Sequence, residues 1–178
     1  MNVRSYAVAV FAVCALFATT LFAKTPRTLA AEDDIREAVL RFQMTGWAEE
    51  GDKSVTAAND DTGKAVANEL NFKVFFISIN GGDPSDAFMK RFQNFARRVE
   101  KQSRSEVDKQ QRNAVVDKAT GEKGIVFRVD KVKWDGANSA EVDGGYFCNG
   151  LCASGQTFKV QRKNGIWTVT GSAMHWIS

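Results

Sequence analysis

The sequence predicts an α+β domain in which two or three helices pack on a strongly curved antiparallel sheet of about five or six strands. Three observations lead to this fold class: a helical apolar pattern soon after residue 31, strand-like segments throughout the C-terminal third, and Asn- or Gly-rich turns between those segments. Such short connections join antiparallel neighbours. A curved sheet wrapped around the helices covers the apolar stripe of each of them.

The first helix is predicted from the spacing of its apolar residues. Four of them stand at i, i+3, i+4 and i+7, on one helical face: Ile35, Ala38, Val39 and Phe42. The carboxylates of residues 32–34 suit the positive end of the helix dipole. We expect this helix to end at Gly46 and the polar stretch 49–68 to be a loop, with room for one short helix at Ala65–Leu70.

A buried strand and a second helix are predicted next. Lys73–Ile79 is β-branched and aromatic and ends at Asn80-Gly81-Gly82, a pattern typical of a strand. Asp83 as N-cap and Pro84 at the first helical position predict a helix start. The polar run 100–113 either continues this helix or forms a loop. The helix would bury a stripe formed by Phe88, Phe92, Phe95 and Val99.

The C-terminal third has the pattern of an antiparallel meander. Asn164-Gly165 predicts a tight hairpin, because both residues tolerate the positive φ that such turns require. Gly144-Gly145 inside a strand indicates a bulge or a sharp bend. The expected strands are Gly124–Trp134, Ala140–Cys148, Gln156–Arg162, Ile166–Thr170 and a fifth, short one at Ala173–Ile177.

The N-terminal segment is typical of a protein that leaves the cytoplasm. Tyr6–Ala23 contains no charged residue and follows Arg4, as in a secretory signal peptide. A cut after Ala23, Ala30 or Ala31 would release it. The alternative is an uncleaved membrane anchor, for which about 20 apolar residues are typical. Either reading predicts a periplasmic or secreted location for the rest of the chain.

One domain accounts for that remainder. Residues 1–31 form the predicted signal peptide, and residues 32–178 are enough to bury roughly 70% of their unfolded surface. The chain has 24 basic and 21 acidic residues, and its three charges before Glu32 are all basic, so the remainder carries 21 of each sign. We expect no nucleic-acid partner, because such binding requires an excess of clustered Lys and Arg. A membrane contact is expected only if the leader is retained as an anchor.

Two cysteines near the C-terminus predict a disulfide. Cys148 and Cys152 flank Asn-Gly-Leu at the tip of an expected hairpin, where Cα atoms come within the roughly 4.4–6.8 Å that a disulfide spans. In an oxidising compartment the first expectation is a structural bridge. A redox or metal-binding role is the alternative, although catalytic cysteine pairs usually have two intervening residues.

Several cofactor chemistries lack their residues in this sequence. The chain has one histidine and no CxxC pair, so the ligand set of a structural zinc site is missing. Gly63-Lys64 has neither the upstream glycine nor the following Ser or Thr of a phosphate-binding loop. We therefore expect no metal and no cofactor.

Basic residues cluster on the predicted second helix and just beyond it. A solvated helix face is the first interpretation, and binding to anionic lipid or a cell-envelope polymer is the alternative. The cluster consists of Lys90, Arg91, Arg97, Arg98, Lys101 and Arg104.

The order helix, strand, helix and meander resembles the nuclear transport factor 2-like (cystatin-like) superfamily. More narrowly, the ending GGYFCNGLCASGQTFKVQRKNGIWTVTGSAMHWIS, from Gly144 onward, resembles that of uncharacterised exported bacterial proteins of this kind. The resemblance runs from about Asp34 to Ser178. It implies helices folded into a bent sheet around a cone-shaped cavity, and it implies no settled activity.

Enzymes of that superfamily, such as ketosteroid isomerases and dehydratases, work with a His or Asp and a Tyr inside the cone. After the leader this chain has one of each, His175 and Tyr146, with Asp130 and Asp143 as carboxylates on nearby strands. No position matches those enzymes' catalytic motifs, so no role is transferred. Strand alternation places Asp143 outside the sheet's covered face, and a half-exposed histidine on a terminal strand is the simpler interpretation of His175.

The sequence thus favours a non-catalytic binding domain for a small apolar ligand or a protein partner at the concave face of the sheet. The candidate pocket-lining residues are Trp134, Phe158, Trp167 and Trp176, which could equally be core. One alternative is an isomerase- or dehydratase-type enzyme that uses His175 and Tyr146. Another is a protein-interaction module of the inhibitor or immunity type.

Overall fold

A computed structural model describes residues 28–57 and 70–178 of this chain. The predicted leader up to residue 27 and most of the predicted short helix at Ala65–Leu70 lie outside the described residues. The fold is α+β, with a large mixed sheet of six strands and few helices. The helices are α1 (Leu29–Ala57) and α2 (Asp86–Met89), and the strands are β1 (Val74–Ile79), β2 (Arg98–Lys101), β3 (Ser105–Asp108), β4 (Ala114–Asp117), β5 (Gly124–Trp134), β6 (Ser139–Asn149), β7 (Cys152–Lys163) and β8 (Ile166–Ile177).

Helix α1 is longer at both ends than the sequence predicts. It begins at Leu29, where the hydroxyl of Thr28 accepts a hydrogen bond from the backbone N–H of Ala31 at 3.2 Å. Its continuation to Ala57 shows that the predicted end at Gly46 and the predicted loop from residue 49 are wrong. A glycine inside a helix costs only about 1 kcal/mol. The packing of the apolar face on the sheet outweighs that cost, because four of its residues are fully buried: Ile35, Val39, Leu40 and Met44.

The six-stranded sheet is mixed, and the prediction of an antiparallel sheet is wrong for one half of it. The strand order is β2-β1-β5-β6-β7-β8. Strand β1 lies parallel to both β2 and β5, with Phe76 opposite Glu100 on one side and Val126 on the other. The chain between β1 and β5 crosses over and re-enters the sheet from the same end, which is the connection that parallel pairing requires.

The other half is the antiparallel meander predicted from its turns. Strands β5 to β8 pair in sequence order. Asn164 and Gly165 both have positive φ, 52° and 84°, as their hairpin requires. The last two predicted strands form a single strand in the structure. Strand β8 runs without a break from Ile166 to Ile177, and its pairing with β7 contains two register shifts. Such irregularities bend a sheet and increase its twist.

Helix α2 is short and is capped by a residue other than the predicted one. Ser85 is the N-cap, and its hydroxyl accepts a hydrogen bond from the backbone N–H of Phe88 at 3.2 Å. The carboxylate of Asp83 instead accepts a hydrogen bond from the backbone N–H of Ser103 at 2.8 Å. One 3₁₀ turn follows α2, and the chain is extended again by Arg98, so Val99 lies on β2 rather than on a helix.

The apolar side chains form two unequal clusters on opposite faces of the sheet. We call the face that packs against α1 the inner face. There the main core joins α1 to β1 and β5–β8, with Phe75, Phe127 and Phe158 as its largest fully buried side chains in the sheet. On the outer face, the β3–β4 hairpin covers a smaller cluster that includes Phe76 and Val115. The outer faces of β7 and β8 lie beyond this cluster.

Candidate functional site

A cleft of about 810 Å³ opens on the inner face between α1 and strands β6–β8. This size suits a small-molecule site, since such clefts commonly measure about 300–1,000 Å³. Its wall is mainly apolar and includes five aromatic side chains: Phe42, Trp47, Tyr146, Phe158 and Trp167.

The aromatic rings are held in place by edge-to-face contacts between the helix and the sheet. Phe42 of α1 meets Phe158 of β7 with ring centres 6.1 Å apart, and Trp47 meets Tyr146 of β6 at 4.8 Å. Phe158 is fully buried and forms the floor, whereas Phe42 is 52% exposed at the opening. Ring pairs in this geometry gain free energy in addition to that from the area they bury. These contacts therefore fix the positions of the rings that line the cleft.

Of the four residues predicted to line a pocket, the structure places two on this cleft. Phe158 and Trp167 line it. Trp134 packs behind Trp167, with ring centres 5.6 Å apart, and therefore belongs to the core beside the cleft. Trp176 lies on the outer face against Gly155, and it is 49% exposed.

Gln43 is a cleft residue that the sequence did not lead us to expect. It borders the cleft from α1 and is only 6% exposed, yet neither its amide nitrogen nor its amide oxygen has a hydrogen-bond partner. Buried polar groups are nearly always paired, and an unpaired one costs about 1–3 kcal/mol. The position of Gln43 in the sequence could have indicated this buried polar group. Gln43 follows Val39 by four residues and therefore interrupts the apolar stripe of the helix.

A second cleft of about 600 Å³ adjoins the first, and Trp47 and Tyr146 line both. Cys148 and Cys152 form part of its wall. They are joined by a disulfide, with their Cα atoms 5.3 Å apart. A bridge of this kind is compatible with an oxidising extracellular compartment.

A row of polar side chains crosses four strands on the outer face. The ammonium of Lys133 lies 2.6 Å from one carboxylate oxygen of Asp143, and the hydroxyl of Thr157 donates to the other at 2.6 Å. The hydrogen bonds from Lys133 and then Thr157 hold the pKa of Asp143 below its ordinary value. The row ends at His175, whose Nε2 lies 2.8 Å from the same hydroxyl. Because that hydroxyl gives its proton to Asp143, Nε2 of His175 is the donor in this contact.

The two residues considered for acid–base chemistry are not brought together. Tyr146 is on the inner face, where its ring contacts Trp47. His175 is on the outer face beside Thr157. The sheet separates them, and Asp143 lies on the same side as His175. A substrate in the inner cleft would therefore reach Tyr146 and not His175.

Three residues of the basic cluster around α2 lie against carboxylates: Arg91, Arg98 and Lys101. Arg91 lies 2.8 Å from Asp34 and 2.7 Å from Glu37 of α1, and these hydrogen bonds raise its pKa. Arg98 lies 2.6 Å from the buried carboxylate of Asp117. Such pairing reduces the positive charge that these three residues could offer to anionic lipid or a cell-envelope polymer.

Among the described residues, no group of three His, Cys, Asp or Glu side chains is arranged to hold a metal ion. Within the same part of the chain, no helix combines the length and the apolar character that a membrane crossing needs. Comparison of the chain with protein families, with curated proteins and with solved structures found no match.

Proposed function

We propose that this chain is an exported, non-catalytic binding domain that holds a small, largely apolar molecule in the cleft between α1 and the inner face. The observation that carries the proposal is the cleft itself, about 810 Å³ in volume and walled by aromatic rings. Burial of apolar ligand surface against such rings supplies most of the affinity in sites of this kind. The proposal includes membership of the nuclear transport factor 2-like superfamily, with this cleft as the mouth of the cone.

The distribution of charge around the cleft favours binding over catalysis. The charged residues that border it are Arg41 and Glu49, and Arg41 already donates to the carboxylate of Glu37 at 2.8 Å. The guanidinium of Arg41 also lies 5.0 Å from the ring centre of Phe92. Its position is therefore fixed by structural contacts rather than by a substrate. His175, the histidine of the chain, is on the other side of the sheet.

Export is supported by the two ends of the chain. The uncharged segment Tyr6–Ala23 after Arg4 has the pattern of a secretory signal. The disulfide between Cys148 and Cys152 is of a kind that persists in oxidising compartments. Together they support a periplasmic or secreted binder.

Filling the cleft tests the proposal. Gly46 borders the cleft, and a Cβ atom added there would meet no atom within 4 Å. Gly46→Leu should therefore extend a side chain from open space at the cleft and lower the affinity for N-phenyl-1-naphthylamine, an uncharged fluorescent probe, by about tenfold or more. Gly171→Leu is the matched control, because Gly171 of β8 also has open space but does not border the cleft. Equal binding by both variants, or no binding by the unaltered protein, would contradict the proposal.

A protein partner at the edge strand β8 is the second candidate function. No charged residue occurs from Ile166 to Ser178, although exposed edge strands normally carry charge to prevent pairing. Three large apolar side chains of β8 are more than half exposed: Ile166 at 69%, Met174 at 56% and Ile177 at 64%. An extended, uncharged segment of a partner could add a strand there.

Hydrogen exchange distinguishes this second candidate from ligand binding in the cleft. Addition of the partner would slow exchange of the β8 amides, and Met174→Lys would abolish that protection while leaving probe binding intact. If the β8 amides become protected as protein concentration alone is raised, the partner is a second copy of this chain. Unprotected β8 amides in the presence of the partner would exclude the edge as its site.

A further inference from the structure

The unpaired amide of Gln43 has the properties of a ligand contact. Its nitrogen and its oxygen are both buried, and neither has a hydrogen-bond partner, although the side chain borders the cleft between α1 and strands β6–β8. A carboxamide can offer one acceptor and one donor side by side. We infer that Gln43 is the polar anchor of the cleft and that it selects neutral molecules with a flat apolar body and a cyclic amide edge.

The neighbours of Gln43 on α1 also border the cleft. The residue lies one helical turn before Trp47, whose ring forms part of the cleft wall. Gly46, three residues after Gln43, borders the cleft and leaves open space where other residues would place a side chain. The space next to Gln43 thus has an aromatic ring on one side, and Gly46 places no side chain in it.

The stability cost of Gly46 also indicates that a molecule binds next to Gln43. Glycine in the interior of a helix is unfavourable, and here no neighbouring atom forbids a Cβ. Packing within the protein therefore does not require glycine at this position. A molecule bound against the helix backbone would account for it.

The charges near the cleft indicate a neutral ligand. Arg41, the cation that borders the cleft, is held by Glu37. An anionic ligand would compete with Glu37 for Arg41, and a cationic one would offer Gln43 donors only, which leaves the amide nitrogen unpaired. A cyclic amide satisfies both atoms of Gln43, because its N–H donates to the side-chain oxygen and its carbonyl accepts from the side-chain nitrogen.

The aromatic walls of the cleft favour a ring system. Edge-to-face contacts fix Phe42 against Phe158 and Trp47 against Tyr146, so the walls present ring faces and edges. Flat bicyclic molecules gain most from stacking on such surfaces. The predicted ligand class is therefore the bicyclic lactams and compounds with the same donor–acceptor edge.

Three flat bicyclic probes test this inference, which rests on the proposed function of the cleft. They are 2-quinolone, which has the cyclic amide edge, N-methyl-2-quinolone, which lacks the donor, and naphthalene, which has neither polar group. The unaltered protein should bind 2-quinolone about tenfold or more tightly than its N-methyl derivative, because a site built for a hydrogen bond rejects an analogue that lacks it. Affinities are measured from the fluorescence of the tryptophans in the cleft.

Gln43→Met removes both hydrogen-bonding atoms while keeping the length of the side chain. This variant should bind naphthalene at least as tightly as the unaltered protein does, and it should bind the two quinolones with nearly equal affinity. Ser154→Ala is the control, since the hydroxyl of Ser154 is also buried without a partner but does not border the cleft. It should leave the quinolone preference unchanged.

The outcomes separate the two proposals. If Gln43→Met keeps the full preference for 2-quinolone, that preference is steric, and the role of Gln43 is overturned while the cleft remains a binding site. Gln43 is equally excluded as the polar anchor if the unaltered protein binds naphthalene but shows no preference between the quinolones. If no probe binds the unaltered protein, the proposed function fails and the inference fails with it.

Discussion

The indole of Trp47 meets the ring of Tyr146 edge to face, with centres 4.8 Å apart, and this pair lines both clefts. Trp47 also contacts Phe72, at 5.6 Å between ring centres. One side chain of α1 thus connects the helix to β6 and to the segment that leads into β1. We therefore expect the pair to contribute to the stability of the helix on the sheet and to limit the length of the cleft.

Trp47→Ala should destabilise the fold and join the two clefts into one groove. Truncation of a buried tryptophan costs about 3–5 kcal/mol, and because Trp47 is only partly buried we expect a loss of about 2–3 kcal/mol in the free energy of unfolding. Urea denaturation measures it. Trp47→Phe keeps a ring against Tyr146 and should lose about half as much. A loss no greater for alanine than for phenylalanine would show that the ring contact does not stabilise the fold.

Two glycines that face each other across β6 and β7 should respond very differently to the same substitution. Gly145 has φ of +154°, and a Cβ there would lie 2.0 Å from the backbone oxygen of Ser154. A Cβ at Gly155 would instead meet the side chain of Trp176, at 2.3 Å from its Nε1 atom. A half-exposed indole can move away, whereas a backbone carbonyl in a sheet cannot.

We therefore expect Gly145→Ala to cost about 3 kcal/mol, since it combines backbone strain with a backbone clash. Gly155→Ala should cost about 1 kcal/mol or less and should shift the fluorescence of Trp176 to longer wavelength as the ring becomes more exposed. Denaturation curves of both variants, with emission spectra of the second, provide the comparison. Equal losses would mean that the β6–β7 ladder adjusts its backbone to admit the new side chain.

The parts of the fold that were predicted from sequence depend on short-range patterns. The apolar spacing that includes Ile35 and Val39 fixes the buried face of α1, and Asn164-Gly165 fixes the last hairpin. Each pattern acts within a few residues. The parallel insertion of β1 beside β5 pairs Val74 with Gly124, far apart in the chain. No local pattern specifies that pairing, so the mixed sheet was not predicted.

The candidate site shows the same limit. Phe158 and Trp167 were named because aromatic residues are expected in a pocket, and both line the cleft. The separation of His175 from Tyr146 depends on which face each side chain occupies. The register shift between Gly155 and Gln156 gives β8 one extra residue and places His175 on the same side as Trp176. The position of a bulge cannot be predicted from the alternation of apolar and polar residues alone. The sequence also does not show that the Gln43 amide lacks hydrogen-bond partners.

Removal of the disulfide should weaken the fold only slightly. The loop closed by Cys148 and Cys152 is short, so the bridge restricts the unfolded chain only over a few residues. On the chain-entropy estimate, its removal lowers the free energy of unfolding by about 2 kcal/mol. Cys148 is buried, so the variant Cys148→Ala/Cys152→Ala avoids placing a hydroxyl in the core. Denaturation under non-reducing conditions should show this loss with the fold retained. A variant that does not fold would show that the bridge is needed to form the hairpin.

The same pair tests export. Protein taken from its own cells should resist alkylation at Cys148 and Cys152 until a reductant is added. Prompt alkylation of both thiols without reductant would place the chain in a reducing compartment, against the predicted periplasmic or secreted location. The bridge seen between them in the structure is the state expected outside the cytoplasm.

Asp117 should make the stability of this protein depend on pH in the acid range. Its side chain is fully buried; one carboxylate oxygen accepts from the backbone N–H of Ala119 at 2.7 Å, and the other lies 2.6 Å from the guanidinium of Arg98. These contacts, the Ala119 hydrogen bond first, hold the pKa of Asp117 below its ordinary value. A carboxyl whose pKa is lower in the folded than in the unfolded chain stabilises the fold above its unfolded pKa, about 3.9.

That stabilisation is lost as the pH falls through the folded-state pKa, and Asp117→Asn removes it at every pH. At pH 7 the variant should be less stable by about 1–2 kcal/mol, a modest figure because Arg98 is partly exposed to solvent. Below pH 4 the two denaturation curves should converge. Glu106→Gln, a change at an exposed residue of β3, should leave the pH profile as it is. If the difference in free energy of unfolding between Asp117→Asn and the unaltered protein stays constant down to pH 3, the ion pair with Arg98 does not cause the loss of stability in acid.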